Sequence, residues 1–82
     1  MRNNTVVPLI ALERGSRGIV VDVNGGYGLV RRLSDLGITR GVIVEVSRVA
    51  PLHGPLEIVV RGVKLALGRG VAAKIYVTPL GE

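Results

Sequence analysis

Tyr27 to Gly41 reads YGLVRRLSDLGITRG, and the fold of the chain turns on this stretch. Leu29, Leu33 and Leu36 recur at i, i+4 and i+7 with Val30 beside them, which makes an apolar stripe about 100° wide on a helix. Arg31, Arg32, Ser34 and Asp35 fill the opposite face. Gly37 follows the last periodic leucine and supplies a left-handed C-cap. The spacing predicts one short helix over about residues 27–36. A helix this short is unstable alone in water, so its leucines need a sheet to lie against.

Both flanks supply strands. Upstream, Gly18–Val23 (GIVVDV) has Ile19, Val21 and Val23 on one face and Val20 and Asp22 on the other. The turn Glu13–Gly18 precedes it. Before that, Thr5–Leu12 reads as a first strand, demoted to an edge by Pro8. Downstream, Val42–Val49 alternates with Val42, Val44 and Val46 inward, and Leu56–Arg61 places Leu56, Ile58 and Val60 inward. The two runs make a hairpin closed by Ala50–Pro55, with a proline at Pro51 and another at Pro55. Gly62 marks a tight corner into Val63–Leu67. Gly68–Lys74 allows one helical turn, and Ile75–Thr78 closes the domain. Residues 1–4 read as a flexible N-terminus, 5–79 as one domain and 80–82 as a tail.

Five to six short antiparallel strands with one inserted helix make a mainly β chain. A small SH3-like barrel is the expected fold, because closure protects edges that a flat sheet exposes. A barrel of the OB type, which also sets a helix among five strands, is the alternative.

The composition narrows the chemistry. The 82 residues contain no Cys, Phe or Trp and one His. The core is therefore aliphatic, and disulfides, thiolate metal sites and thiol catalysis are excluded. A triad could be built only around His53, and no Ser sits in a nucleophile elbow. The residue set argues against an enzyme. Gly25–Gly28 before the helix lacks the Lys-Ser/Thr of a P-loop and the full GxGxxG of a dinucleotide site. The apolar run Val6–Leu12 is interrupted by Pro8 and lacks a small-x-small cleavage site, so it reads as a strand, with the cytoplasm as the default location.

The net charge of +5 suits an anionic partner. RNA or DNA is one such partner, with Arg14, Arg17, Arg31 and Arg32 as a stripe. Only Tyr27 and Tyr76 could stack on bases, however. For metals the candidates are His53, Glu45 and Glu57, without ligand spacing. Glu45 and Glu57 share the non-core parity and are expected to face each other across the hairpin, beside Arg48 and Arg61. Protein binding suits the composition best. The proline-fixed loop with Leu52, His53 and Pro55 offers apolar anchors, and Arg31, Arg32 and Asp35 offer charge on the helix.

The order of motifs resembles a known family. Arg31-Arg32-Leu33-x-x-Leu36-Gly37-Ile38-x-x-Gly41 precedes a valine-rich strand. Ala50-Pro51-Leu52-x-Gly54-Pro55-Leu56-Glu57-Ile58, Val60-Arg61-Gly62 and Leu65-Ala66-Leu67 follow, with Ala72, Ala73, Ile75 and Val77 near the end. Over residues 6–79 this series resembles the FeoA family, the small component of bacterial ferrous iron transport. The resemblance implies an SH3-like barrel, a non-catalytic role in iron uptake, and a FeoB-type membrane transporter as partner, met at its cytosolic face. No cofactor is expected, and Fe2+ or another divalent metal is the ion a site would take, although the ligand spacing does not support one. A weak homo-oligomer is a further expectation. The same barrel forms the C-terminal domain of metal-dependent repressors, so a stand-alone equivalent of that domain is the other reading. Two positions depart from the family. His53 stands where Gly is common, and Gly68–Val71 stands where arginine and acidic residues are usual, which is expected to loosen the last helical turn.

Overall fold

Alternating valines and leucines decide which side of the sheet turns inward. The strand Ile43–Val49 (β3) buries Val44 and Val46, and Leu56–Val60 (β4) buries Leu56, Ile58 and Val60. They pair as the expected antiparallel hairpin. The computed structural model describes residues 5–81, and the expected flexible segment at 1–4 lies outside them.

Four more strands complete the sheet: Val7–Pro8 (β1), Arg17–Val23 (β2), Val63–Leu67 (β5) and Ile75–Leu80 (β6). Two helices interrupt them, Tyr27–Asp35 (α1) and Arg69–Ala72 (α2). The order across the sheet is β1-β6-β2-β3-β4-β5, antiparallel throughout. The fold is the mainly β, SH3-like arrangement of six antiparallel strands, with helix α1 inserted between β2 and β3 and the single turn α2 before β6. The sheet stays open, with β1 and β5 as its edges. All its strands but β1 give side chains to one buried aliphatic cluster, joined by Leu9, Leu33, Ile38 and Ala72, and β1 packs Val7 against it.

Helix α1 ends as its sequence dictates. Leu36 is the C-cap, and Gly37 follows with φ +90. The Gly37 N–H donates to the Ser34 carbonyl and the Ile38 N–H to the Leu33 carbonyl, both at 2.9 Å. This is the Schellman pattern, and its apolar pair, Leu33 with Ile38, is buried. The expected stripe is narrower than the spacing predicts. Leu33 is buried and Leu29 partly so, but Leu36 is 44% exposed because the chain has already left the helix there.

Four other expectations need correction. The first strand is only Val7–Pro8, followed by a 3₁₀ turn at Leu9–Ala11. A 3₁₀ turn repeats every three residues, which sets Leu9 and Leu12 on one side, and both are buried. On β2 the buried residues are Gly18 and Val20, with Ile19, Val21 and Val23 half-buried. Register slips between Val20 and Asp22 against β6, so Val21 is the extra residue of a bulge. The final strand does not stop at Thr78: Pro79 pairs with Gly18 and Leu80 with Arg17. A proline is tolerated there because β1 covers only Tyr76 and Val77 of that strand's other flank. Finally, α2 forms an intact turn despite its glycines, with the Ala72 and Ala73 amides donating to Gly68 and Arg69 at 2.9 Å.

Candidate docking surface

The loop between β3 and β4 is closed twice. The Ala50 N–H donates to the Pro55 carbonyl at 3.2 Å, and inside it the Gly54 N–H donates to the Pro51 carbonyl at 3.1 Å. The inner turn carries Leu52 at φ 57 and His53 at φ 60. Two central residues at positive φ make a type I′ turn, a geometry that favours Asn and Gly. The turn is tightly built: a Cβ on Gly54 would lie 2.7 Å from the Ala50 Cβ. Leu52 stands at its apex, 95% exposed. His53 and Pro55 are exposed beside it. At φ 60, position 53 holds a conformation an L side chain rarely adopts and glycine accepts freely.

On α1, Arg31, Arg32 and Asp35 are exposed. Among the described residues the ion pairs are Arg40 with Asp22 at 3.4 Å and Arg48 with Glu57 at 3.8 Å. Arg32 therefore does not fold back onto any carboxylate among the described residues. The helix and the loop lie toward opposite ends of the β3–β4 hairpin. A Cβ on Gly37 would sit 3.8 Å from Val60 Cγ1, whereas the loop leads into Leu56, about 13 Å away along the strand. The structure thus holds two exposed patches and does not merge them. Beside the helix, Val23, Val30 and Ile38 line a cleft of about 270 Å3, with the Arg40–Asp22 pair among its walls.

The carboxylates are arranged differently from the expectation. Register puts Glu45 opposite Val59, and a slip between Val46 and Arg48 puts Arg48 opposite Glu57. The bulged Ser47 donates its hydroxyl to the Glu57 carbonyl at 3.2 Å. Glu45 and Glu57 therefore do not face each other, and His53 stands apart on its loop. Among the described residues no three His, Asp or Glu side chains come together as a metal site, and none of the described helices is long and apolar enough to cross a membrane.

Sequence reasoning missed the left-handed backbone at Leu52 and Arg61. The second was readable: Arg61 and Gly62 are the two residues between paired Val60 and Val63, and both have positive φ, as a two-residue hairpin requires.

Comparison with known proteins bears on the family and the fold. The FeoA domain family matches residues 7–79. A Methanocaldococcus jannaschii protein named Fe(2+) transport protein A is 37% identical over 70 residues, 85% of this chain and 83% of that one. A crystal structure of an iron uptake regulatory protein (FeoA) superposes with a TM-score of 0.86 at 38% identity, covering 93% of this chain and 100% of the other. The FeoA protein of Chlorobium tepidum gives 0.85 at 37% identity, covering 92% and 71%. A manganese-dependent transcriptional repressor gives 0.84 at 20% identity over 98% of this chain and 44% of its own, a likeness of fold alone. By sequence and by fold together, the chain belongs to the FeoA family.

Proposed function

We propose that this protein is a non-catalytic accessory of ferrous iron uptake that docks on the cytosolic face of a FeoB-type transporter through the Leu52 turn. One observation carries the reading: a leucine 95% exposed is held on left-handed backbone at the tip of a hairpin. Backbone outliers of this kind collect at binding sites, where the surrounding structure over-determines them. A rigid apolar side chain at a tip is a preorganised anchor for a partner pocket. Arg31, Arg32 and Asp35 form a second, charged contact at the far end of the hairpin. Iron is the transporter's cargo in this scheme, and the accessory works by contact.

The test is affinity for the detergent-solubilised transporter. Leu52→Glu is expected to weaken binding by about tenfold or more, while its melting temperature stays near wild type because the residue is exposed. The double variant Arg31→Ala/Arg32→Ala is expected to weaken it less. Normal binding by a folded Leu52→Glu variant would remove the proposed surface.

A further inference from the structure

Register fixes a second face, on the outer side of β2, β3, β4 and β5. Arg17, Glu45, Val59 and Lys64 stand side by side in one row across the four strands. Ile19 and Ile43 stand side by side in the next row, and Arg61 follows Val60, which pairs with Val44. Arg17, Val42, Ile43, Glu45, Val59 and Arg61 line a shallow groove of about 450 Å3. Its floor is apolar, with Ile43 46% exposed. Among the described residues no ion pair uses Arg17, Arg61 or Lys64. Three cations therefore stand against the single carboxylate of Glu45, while the neighbouring Arg48 and Glu57 neutralise each other.

Arg61 adds an independent observation. It sits at φ 52, the first central position of the β4–β5 turn, where Asn or Asp is favoured. Stereochemistry did not select arginine there, so its charge at the groove's end is the property to explain.

We infer that this face receives an extended acidic segment of a partner protein. One carboxylate lies on Arg61, a second on Arg17, and an apolar side chain between them covers Ile43 and Val59. Arg17 and Arg61 are two strands and two residues apart, about 12 Å between Cα atoms. An extended segment presents residues i, i+2 and i+4 on one face, with the outer pair about 13 Å apart. The spans match. Glu45 in the middle repels a phosphodiester backbone, and no aromatic ring lines the groove for a base to stack upon, which favours a peptide over a nucleic acid.

The experiment titrates the 15N-labelled chain with the synthetic peptide Ser-Glu-Ser-Val-Ser-Glu-Ser. Amide shifts are expected at Ile19, Ile43, Glu45, Val59 and Arg61. Arg61→Asn is expected to weaken binding by about tenfold, the loss of one charge-assisted pair, with no fall in melting temperature because Asn suits the turn. The peptide with Gln in place of both Glu is expected to lose binding likewise. Shifts elsewhere or at no amide, unchanged binding by Arg61→Asn, or a short single-stranded RNA occupying the face in preference to the peptide would each overturn the inference. Leu52→Glu is expected to leave the titration unchanged, so this face and the Leu52 turn stand or fall separately.

Discussion

Leu52 and His53 hold φ values of 57 and 60, and each costs roughly 1 kcal/mol or more relative to a residue that accepts left-handed backbone. Nothing in the core requires leucine at a position 95% exposed, so the local cost is tied to display. The double variant Leu52→Asn/His53→Gly relieves both costs but adds about 1 kcal/mol of backbone entropy at the new glycine. It is therefore expected to stabilise the fold by about 1 kcal/mol net, raising the melting temperature by about 4–8 °C for a domain of this size. The same variant is expected to bind the transporter less well. Calorimetry beside a binding assay checks the pair of effects, and a variant that gains stability without losing affinity would detach the strain from function. Little of this was readable beforehand. Pro51-Leu52-His53-Gly54 carries no Asn-Gly or Asp-Gly signal, whereas Gly37 was placed correctly because it follows the last periodic leucine.

Elements were legible wherever alternation ran unbroken and illegible where a bulge broke it. β3 as far as Val46, and β4 throughout, show their buried faces in the sequence. On β2 the extra residue at Val21 changes which side chains face inward, and on β3 the slip past Val46 brings Arg48 rather than Ser47 opposite Glu57. A bulge adds one residue without a composition signal, so the partner of Glu57 is misplaced by one. Glu45 lies opposite Val59 ahead of the bulge, and its expected pairing with Glu57 fails because parity reports the face and not the register. Helix α1 shows the same limit at its end. Its anchor is Leu33, buried within the core cluster and joined to Ile38 through the Schellman bonds. Leu33→Ala is expected to cost about 3 kcal/mol, the usual range for a leucine truncated in a packed core. Leu36→Ala, on the exposed C-cap, is expected to cost well under 1 kcal/mol. Urea unfolding of the two variants checks the ranking, and equal losses would mean that the stripe is buried as broadly as its spacing suggests.

At the scale of the whole molecule, the last strand in the sequence is interior to the sheet. β6 lies between β1 and β2, with Ile75 and Val77 fully buried. Its register runs the length of β2, from Val23 opposite Ile75 to Arg17 opposite Leu80. Strand order of this kind is not written in periodicity, which reports faces and not neighbours, and so the last strand reads as ending at Thr78 with Leu80 in a tail. The consequence is a fold that cannot close until its C-terminal residues arrive. Without β6, the two residues of β1 have no partner, β2 loses one of its two neighbours, and the core around Leu9 and Val20 opens to water. With the aliphatic cluster this small, the lost burial exceeds the few kcal/mol by which a domain is stable. A chain ending at Lys74 is therefore expected to give a collapsed amide spectrum without cooperative unfolding. One ending at Leu80 is expected to keep the native spectrum. Dispersed, native-like resonances from the shorter chain would show that the β2–β5 sheet and α1 fold by themselves, and that β6 is an addition to the core and not its keystone.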